Sequence, residues 1–139
     1  MNDKTVTIYN YHENTKTWQR TVVSGVEYFF KSEKAVSSSG QIVFTQLLTV
    51  VIPIEAVVSG KRAYIPFTDY QKLEDTSGHW TINPSCNKEV VVCGECDKEI
   101  TGDYRITSLK ADFMKSGIIS AFNDNTDKQR LRHFKVVCK

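Results

Sequence analysis

Residues Gln41–Ile54 read QIVFTQLLTVVIPI, the longest apolar run in the chain. Ile42, Phe44, Leu48, Val50, Ile52 and Ile54 share one parity, while Val43, Leu47 and Val51 share the other. A helix competes for a run of this length. Valine, isoleucine and threonine branch at Cβ and fit a pleated chain better than a helical one. Apolar residues on both parities predict a strand buried on both faces for part of its length. Pro53 has no N–H to donate, so it marks a strand end or an edge.

Working outward, the same signature recurs. Thr5–Tyr11 alternates, with Val6 and Ile8 on one side and Thr5, Thr7, Tyr9 and Tyr11 on the other. The polar stretch His12–Lys16 is a turn, and Thr17–Val23 completes an opening hairpin. Gly25 interrupts the pattern and predicts a bulge or bend. Val26–Phe30 resumes, with Val26, Tyr28 and Phe30 on one face. Lys31–Gly40 is polar and ends in three serines and a glycine, which predicts a long exposed loop inserted between two strong strands.

Beyond Ile54, Ser59–Arg62 is a turn and Ala63–Ile65 a short strand. Thr68–Leu73 is one helical turn capped by Thr68. His79–Ile82, Glu89–Gly94, Ile118–Phe122 and Leu131–Cys138 are strands, and Asn123–Asp127 is a turn. Thr107–Ser116 is the best helix, with Leu109 and Phe113 four apart and Gly117 after its end. No repeat or linker divides residues 1–139. The fold expected is a single, mainly β domain: a small barrel or sandwich with a long inserted loop and one or two short helices.

The chain has 139 residues, 40% of them hydrophobic, and a net charge of +2. That length suits one packed core. The near balance of charge lacks the basic footprint of a dedicated nucleic-acid binder. No apolar run approaches the roughly 20 residues that span a bilayer, so no membrane partner is expected. The opening MNDKTVTIYNY does not read as a secretory signal, so a reducing compartment and free thiols are expected.

Cys93 and Cys96 form a CxxC pair, with Cys86 and Cys138 elsewhere. A redox pair needs its first cysteine at a helix start, and no helical spacing follows here. A zinc site would have to recruit Cys93, Cys96, His133 and Cys138, yet HFKVVC reads as a strand that splays its histidine and cysteine. Small buried fillers beside a turn at Gly94-Glu95 are the plainer account. His12, His79 and His133 are scattered, and no GxSxG, HExxH or phosphate loop occurs. No enzyme activity and no cofactor are expected.

The closing stretch DKQRLRHFKVVCK carries five basic residues against one acid. It is either a contact surface or an edge strand guarded by charge, since Arg130, Arg132 and Lys135 do not all share one face. Trp18, Trp80, Tyr28, Phe29 and Phe30 are either core residues or stacking platforms for single-stranded nucleic acid.

One resemblance runs along nearly the whole chain. TIYNY, TWQRTVVSGVEYF, the apolar run ending in IPIEA, RAYIPF, HWTI with EVVVCGE, and IISAFNDN with LRHFKV occur in that order. This order is similar to a family of small, largely uncharacterised proteins encoded among the head and tail morphogenesis genes of tailed phages and prophages of Gram-positive bacteria. The opening also resembles head-completion proteins, the stopper or head–tail adaptor class. That family pattern commonly has lysine–glycine where this chain has Cys93-Gly94, which argues against a family-wide metal site.

The resemblance implies a small barrel that assembles as a ring between portal or adaptor and tail-tube proteins. Nucleic acid would enter only as DNA passing a channel. It further implies a place in the virion, and in host cytoplasm during assembly. The implied assembly surfaces are the Lys31–Gly40 loop, including Lys34 and Ser38, and Arg130, Arg132 and Lys135 of the last strand. Two alternatives stand beside this reading: an OB-like barrel that holds nucleic acid, and a small zinc-stabilised domain.

Overall fold

The computed structural model describes residues 4–13, 15–36, 38–76, 78–85, 88–96, 98, 100, 109, 116–124 and 133–138, with 31–36 and 43–46 described by backbone alone. Its strands are β1 (Lys4–His12), β2 (Thr17–Val36), β3 (Ile42–Pro53), β4 (Val57–Val58), β5 (Ala63–Tyr64), β6 (His79–Trp80), β7 (Val90–Cys93), β8 (Ser116–Asp124) and β9 (His133–Cys138). One helical turn, α1, spans Phe67–Tyr70. Six strands run β1-β7-β8-β9-β3-β2, and β2 returns to pair with β1, which closes the sheet into a barrel. Every pairing around the barrel is antiparallel. Of the two mainly β architectures expected from the strands, barrel and sandwich, the barrel is the observed fold.

The hairpin β1–β2 runs in register from Thr5↔Ser24 to His12↔Thr17. Before it, Lys4 pairs with Val26, so Gly25 is the extra residue of a bulge. Gly25 has φ 83°, a conformation that side chains resist, which explains a glycine at this point. The bend lets β2 leave β1 and turn toward β3. Alternation then fills the interior: Val6, Ile8, Val23, Val26, Leu48, Val50, Ile52, Val91, Ile119, Phe134, Val136 and Cys138 form one buried cluster. Outside the barrel wall, Tyr9, Val90, Val92, Cys96, Ile100 and Leu109 form a second. This explains why the valines of β7 are apolar on both parities: both faces are covered.

Several expectations change. Lys31–Gly40 is not a long loop. Lys31–Val36 pairs residue by residue with Leu47–Ile42, leaving a short turn between them. The polar residues hid the strand because the ladder supplies backbone bonds whatever the side chains are. β9 is not an edge, because β3 and β8 flank it. Pro53 does sit at a strand terminus, opposite His133.

The helical turn begins after Pro66, with no side-chain cap, rather than at a Thr68 cap. Of His79–Ile82, the first two residues make the β6 ladder. Asn123 and Asp124 extend β8 instead of forming a turn. The expected helix Thr107–Ser116 lies outside the described residues, except that Leu109 is helical and Ser116 begins β8. Gly117 pairs with Val91 and is no helix terminus. Leu131 and Asn125–Asp127 also lie outside the described residues.

Ile8 is fully buried in the barrel and Phe29 is 60% exposed. Ile8→Ala should therefore cost about 2–5 kcal/mol in urea denaturation. Phe29→Ala should stay within about 0.5 kcal/mol, as an exposed substitution does.

Candidate functional site

The barrel interior is apolar at one end and polar at the other. Along the inward face of β1, Val6 and Ile8 give way to Asn10 and His12, all buried. The inward residues of β2 pass from Val23 to Thr21, and Glu89 precedes the inward Val91. A segment between β3 and β7 closes this polar mouth, bringing Tyr70 and Gln71 from α1 and its C-cap, and Trp80–Asn83 from β6 onward.

The closure is made by side chains that imitate a strand. Asn10 donates its amide to the Thr81 carbonyl at 2.5 Å and accepts the Thr81 N–H at 3.3 Å. Gln71 donates to the Tyr11 carbonyl at 2.9 Å and accepts the Glu13 N–H at 2.8 Å. Glu89 lies beneath them, wholly buried. Its carboxylate accepts the Asn83 N–H at 2.8 Å, the Tyr11 N–H at 3.0 Å and the Asn10 amide at 3.2 Å. Burial pushes the Glu89 carboxyl up to about 7, and these three donors offset only part of that.

Beside this network lies a polar cleft of about 200 Å³. Its wall includes His12, Gln19, Arg20, Arg62, Tyr70 and Thr76. Arg62 donates to the Arg20 carbonyl at 2.7 Å and the Thr21 hydroxyl at 3.0 Å. Thr76 donates to Gln19, whose amide in turn donates to the His79 carbonyl. The rings of His12 and Tyr70 meet edge to face, with centroids 5.7 Å apart. Burial raises the Tyr70 phenol above its ordinary range, with Thr76 and Arg62 opposing and Glu89 adding to the rise.

A second concavity of about 370 Å³ is apolar, lined by Ile52, Ala56, Val58, Tyr64, Trp80 and Phe134 among others. Tyr64, Trp80, Phe122 and Phe134 stack there, Tyr64 and Phe134 with centroids at 4.5 Å. Burial, and then Asp124, push the Tyr64 phenol up to about 12. Trp18 packs on the outer cluster, Trp80 is in the core, and Tyr28 and Phe30 pack partly against it. Of the five aromatics considered as stacking platforms, Phe29 stands exposed.

The cysteines are separated. Cys93 packs against the barrel interior, while Cys96 belongs to the outer cluster and accepts the Tyr9 hydroxyl at 3.1 Å. Cys138 is inside the barrel, its thiol pushed up to about 12 by burial and by Cys93. His133 and Cys138 have opposite parity on β9, as the strand reading required. Among the described residues no three metal-ligating side chains converge. Cys86 lies outside them.

Of the expected assembly residues, Lys135 is exposed on β9 and Ser38 is exposed at the hairpin turn. Lys34 pairs with Phe44 in the hairpin arm. Arg130 and Arg132 lie outside the described residues.

The family model for a family of unknown function, DUF6751, matches residues 1–139. The chain belongs to DUF6751. No curated protein and no solved structure matches it. For this DUF6751 member, Glu89, Asn10, Gln71, Tyr70 and Arg62 are the residues that sequence reading missed. The available signal was a lone acid, Glu89, on the inward parity of VVVC.

The Glu89 carboxyl stands higher in the folded chain than the ordinary 4.5. Folding therefore favours its proton. The stabilisation is complete below about pH 4.5 and is lost as pH rises through about 7. Over that window the loss attributable to this group is about 2–4 kcal/mol. Melting curves between pH 5 and 8 should show it, and Glu89→Gln should flatten the slope while lowering stability overall. An equal slope in the variant would mean that Glu89 titrates normally.

Proposed function

We propose that this chain is a structural component of a tailed-phage virion, of the head–tail connector or tail-completion type. It acts by assembling into a ring with copies of itself, and it contacts portal or adaptor proteins on one side and tail-tube proteins on the other. The action is mechanical, with no turnover, and DNA is met only as it passes the channel. The place of action is the virion, and the host cytoplasm during assembly.

One observation carries this reading beyond the order of motifs. Lys31–Val36 and Ile42–Leu47 pair with each other and, among the described residues, with no third strand. Six pairs at about 3.3 Å per residue make a ribbon that runs about 20 Å past the barrel. An isolated two-stranded ribbon is marginal in water and gains from a neighbour laid along it. Among the described residues nothing pairs with either of its edges, which makes them a template for strand addition. Ile42 at its tip and Phe29 near its base are more than half exposed. At the other end of β3, Ile54 and Val57 are exposed in the same way. Two unlike apolar patches on one subunit suit a head-to-tail contact, the kind that closes rings. The barrel behind them has no open edge to deform.

Native mass spectrometry and negative-stain imaging of the purified chain, alone and with portal or tail-tube protein, test the proposal. Ring-sized multimers or a complex with one of these partners are expected. Replacing residues 32–46 by a tight turn should abolish assembly and shift the melting temperature by only a few degrees. A wild-type chain that stays monomeric, ignores both partners and is missing from purified virions would end this reading.

A further inference from the structure

The cleft at the polar mouth has walls whose bonding is incomplete. His12 is 2% exposed and Tyr70 is fully buried, and both line it. The buried His12 Nε2 and Tyr70 hydroxyl make no hydrogen bond of full geometry in the protein, although Thr76 stands beside the phenol. Folded chains rarely leave such atoms unpaired, and two on adjoining rings of one wall are rarer still. His79 Nδ1 and the Thr81 hydroxyl, in the segment that closes the mouth, are unpaired as well, whereas Asn10, Gln71, Gln19 and Glu89 are each held by at least two bonds.

The chemistry of the wall selects the ligand. Among the described residues it carries Arg20 and Arg62 and no acid. Glu89, the acid that acts on Tyr70 through space, has three N–H donors of its own, and Arg62 opposes it at the phenol. Buried Tyr70 keeps its proton and is a donor. The His12 Nδ1 faces the Thr15 hydroxyl at 2.8 Å, which faces the Thr17 hydroxyl at 2.7 Å. Either Thr15 or the ring can donate in this contact; an anion at Nε2 selects the tautomer in which Thr15 donates to Nδ1 and the ring proton sits on Nε2, a second donor. Arginine disfavours a cation, and Gln19 and Thr76 give an apolar ligand little to cover. A water occupies about 30 Å³ in the liquid, so about 200 Å³ holds several waters or one small ion.

We propose that this cleft binds one small oxyanion, of the phosphate or carboxylate class, with the Tyr70 hydroxyl, the His12 Nε2–H and the Arg62 guanidinium as its donors. The site is independent of the assembly reading: it lies at the barrel mouth and uses no residue of the ribbon. A small anion here would also bridge β2, the α1 segment and β1, and so tie the plug to the barrel.

The test is calorimetric titration of the full chain with inorganic phosphate and, separately, acetate, against sodium chloride at matched ionic strength, with the His12 ring nitrogens followed by NMR. Saturable binding of at least one anion, near one per chain, with a shift at His12 Nε2, is expected. The stronger of the two arms identifies the class. Tyr70→Phe should weaken binding about tenfold, the effect of losing one charge-assisted hydrogen bond. It should leave the unliganded melting temperature unchanged or higher, because it removes a buried hydroxyl that makes no hydrogen bond of full geometry.

No saturable signal above chloride from either anion would overturn the proposal. So would unchanged affinity in Tyr70→Phe. A lower melting temperature in Tyr70→Phe without anion binding in the wild type would assign the hydroxyl to a water-bridged structural role instead. Should Tyr70→Phe not fold, Arg62→Gln is read by the same affinity criterion.

Discussion

The pairing of β1 with both β2 and β7 is the contact on which the structure rests. With it, each of the six barrel strands has a neighbour on either side. Without it the sheet would open, and the alternate residues now sealed inside would face water. Closure also fixes register: a one-residue slip in any strand would exchange its inward and outward faces. The Gly25 bulge is the local device that makes closure possible, since β2 must pair with β1 along its first half and with β3 along its second.

A closed barrel still has two ends, and the ends decide what else it can do. Here one interior end is filled by hydrocarbon and the other by amides, hydroxyls and a carboxyl. The polar end is stable because side chains act as surrogate strands: Asn10 and Gln71 each make a two-bond ladder with backbone. Placing Glu89 beneath them is costly in desolvation and gives the plug three bonds at one point. The same polar filling leaves room for a cleft beside it, whereas an apolar plug would have been squeezed dry.

The ribbon is the opposite case. It has backbone pairing, and among the described residues no third strand lies along it. A closed barrel with a slender projection and two separated apolar patches is the feature on which the proposed assembly role rests.

Much of this was legible in the residues. Alternation in Thr5–Tyr11 and the β-branched residues of Gln41–Ile54 determine that the chain is extended there, and Gly25 marks where an extended chain must bend. The parity of HFKVVC determines that His133 and Cys138 face apart. These follow from the two-residue repeat of a strand, which is local. Other features depend on contacts far along the chain. Lys31–Val36 is polar enough for a loop, and it is a strand because Ile42–Leu47 folds back on it. β9 reads as a charged edge until β3 and β8 enclose it. The cleft is assembled from the β1 and β2 hairpin, Arg62 just before β5, and α1 with Thr76 after it, segments far apart along the chain. Sequence fixes which way each side chain points from its own strand. Only closure of the sheet decides which of those side chains meet, because hydrogen-bonded partners and burial are properties of the neighbours.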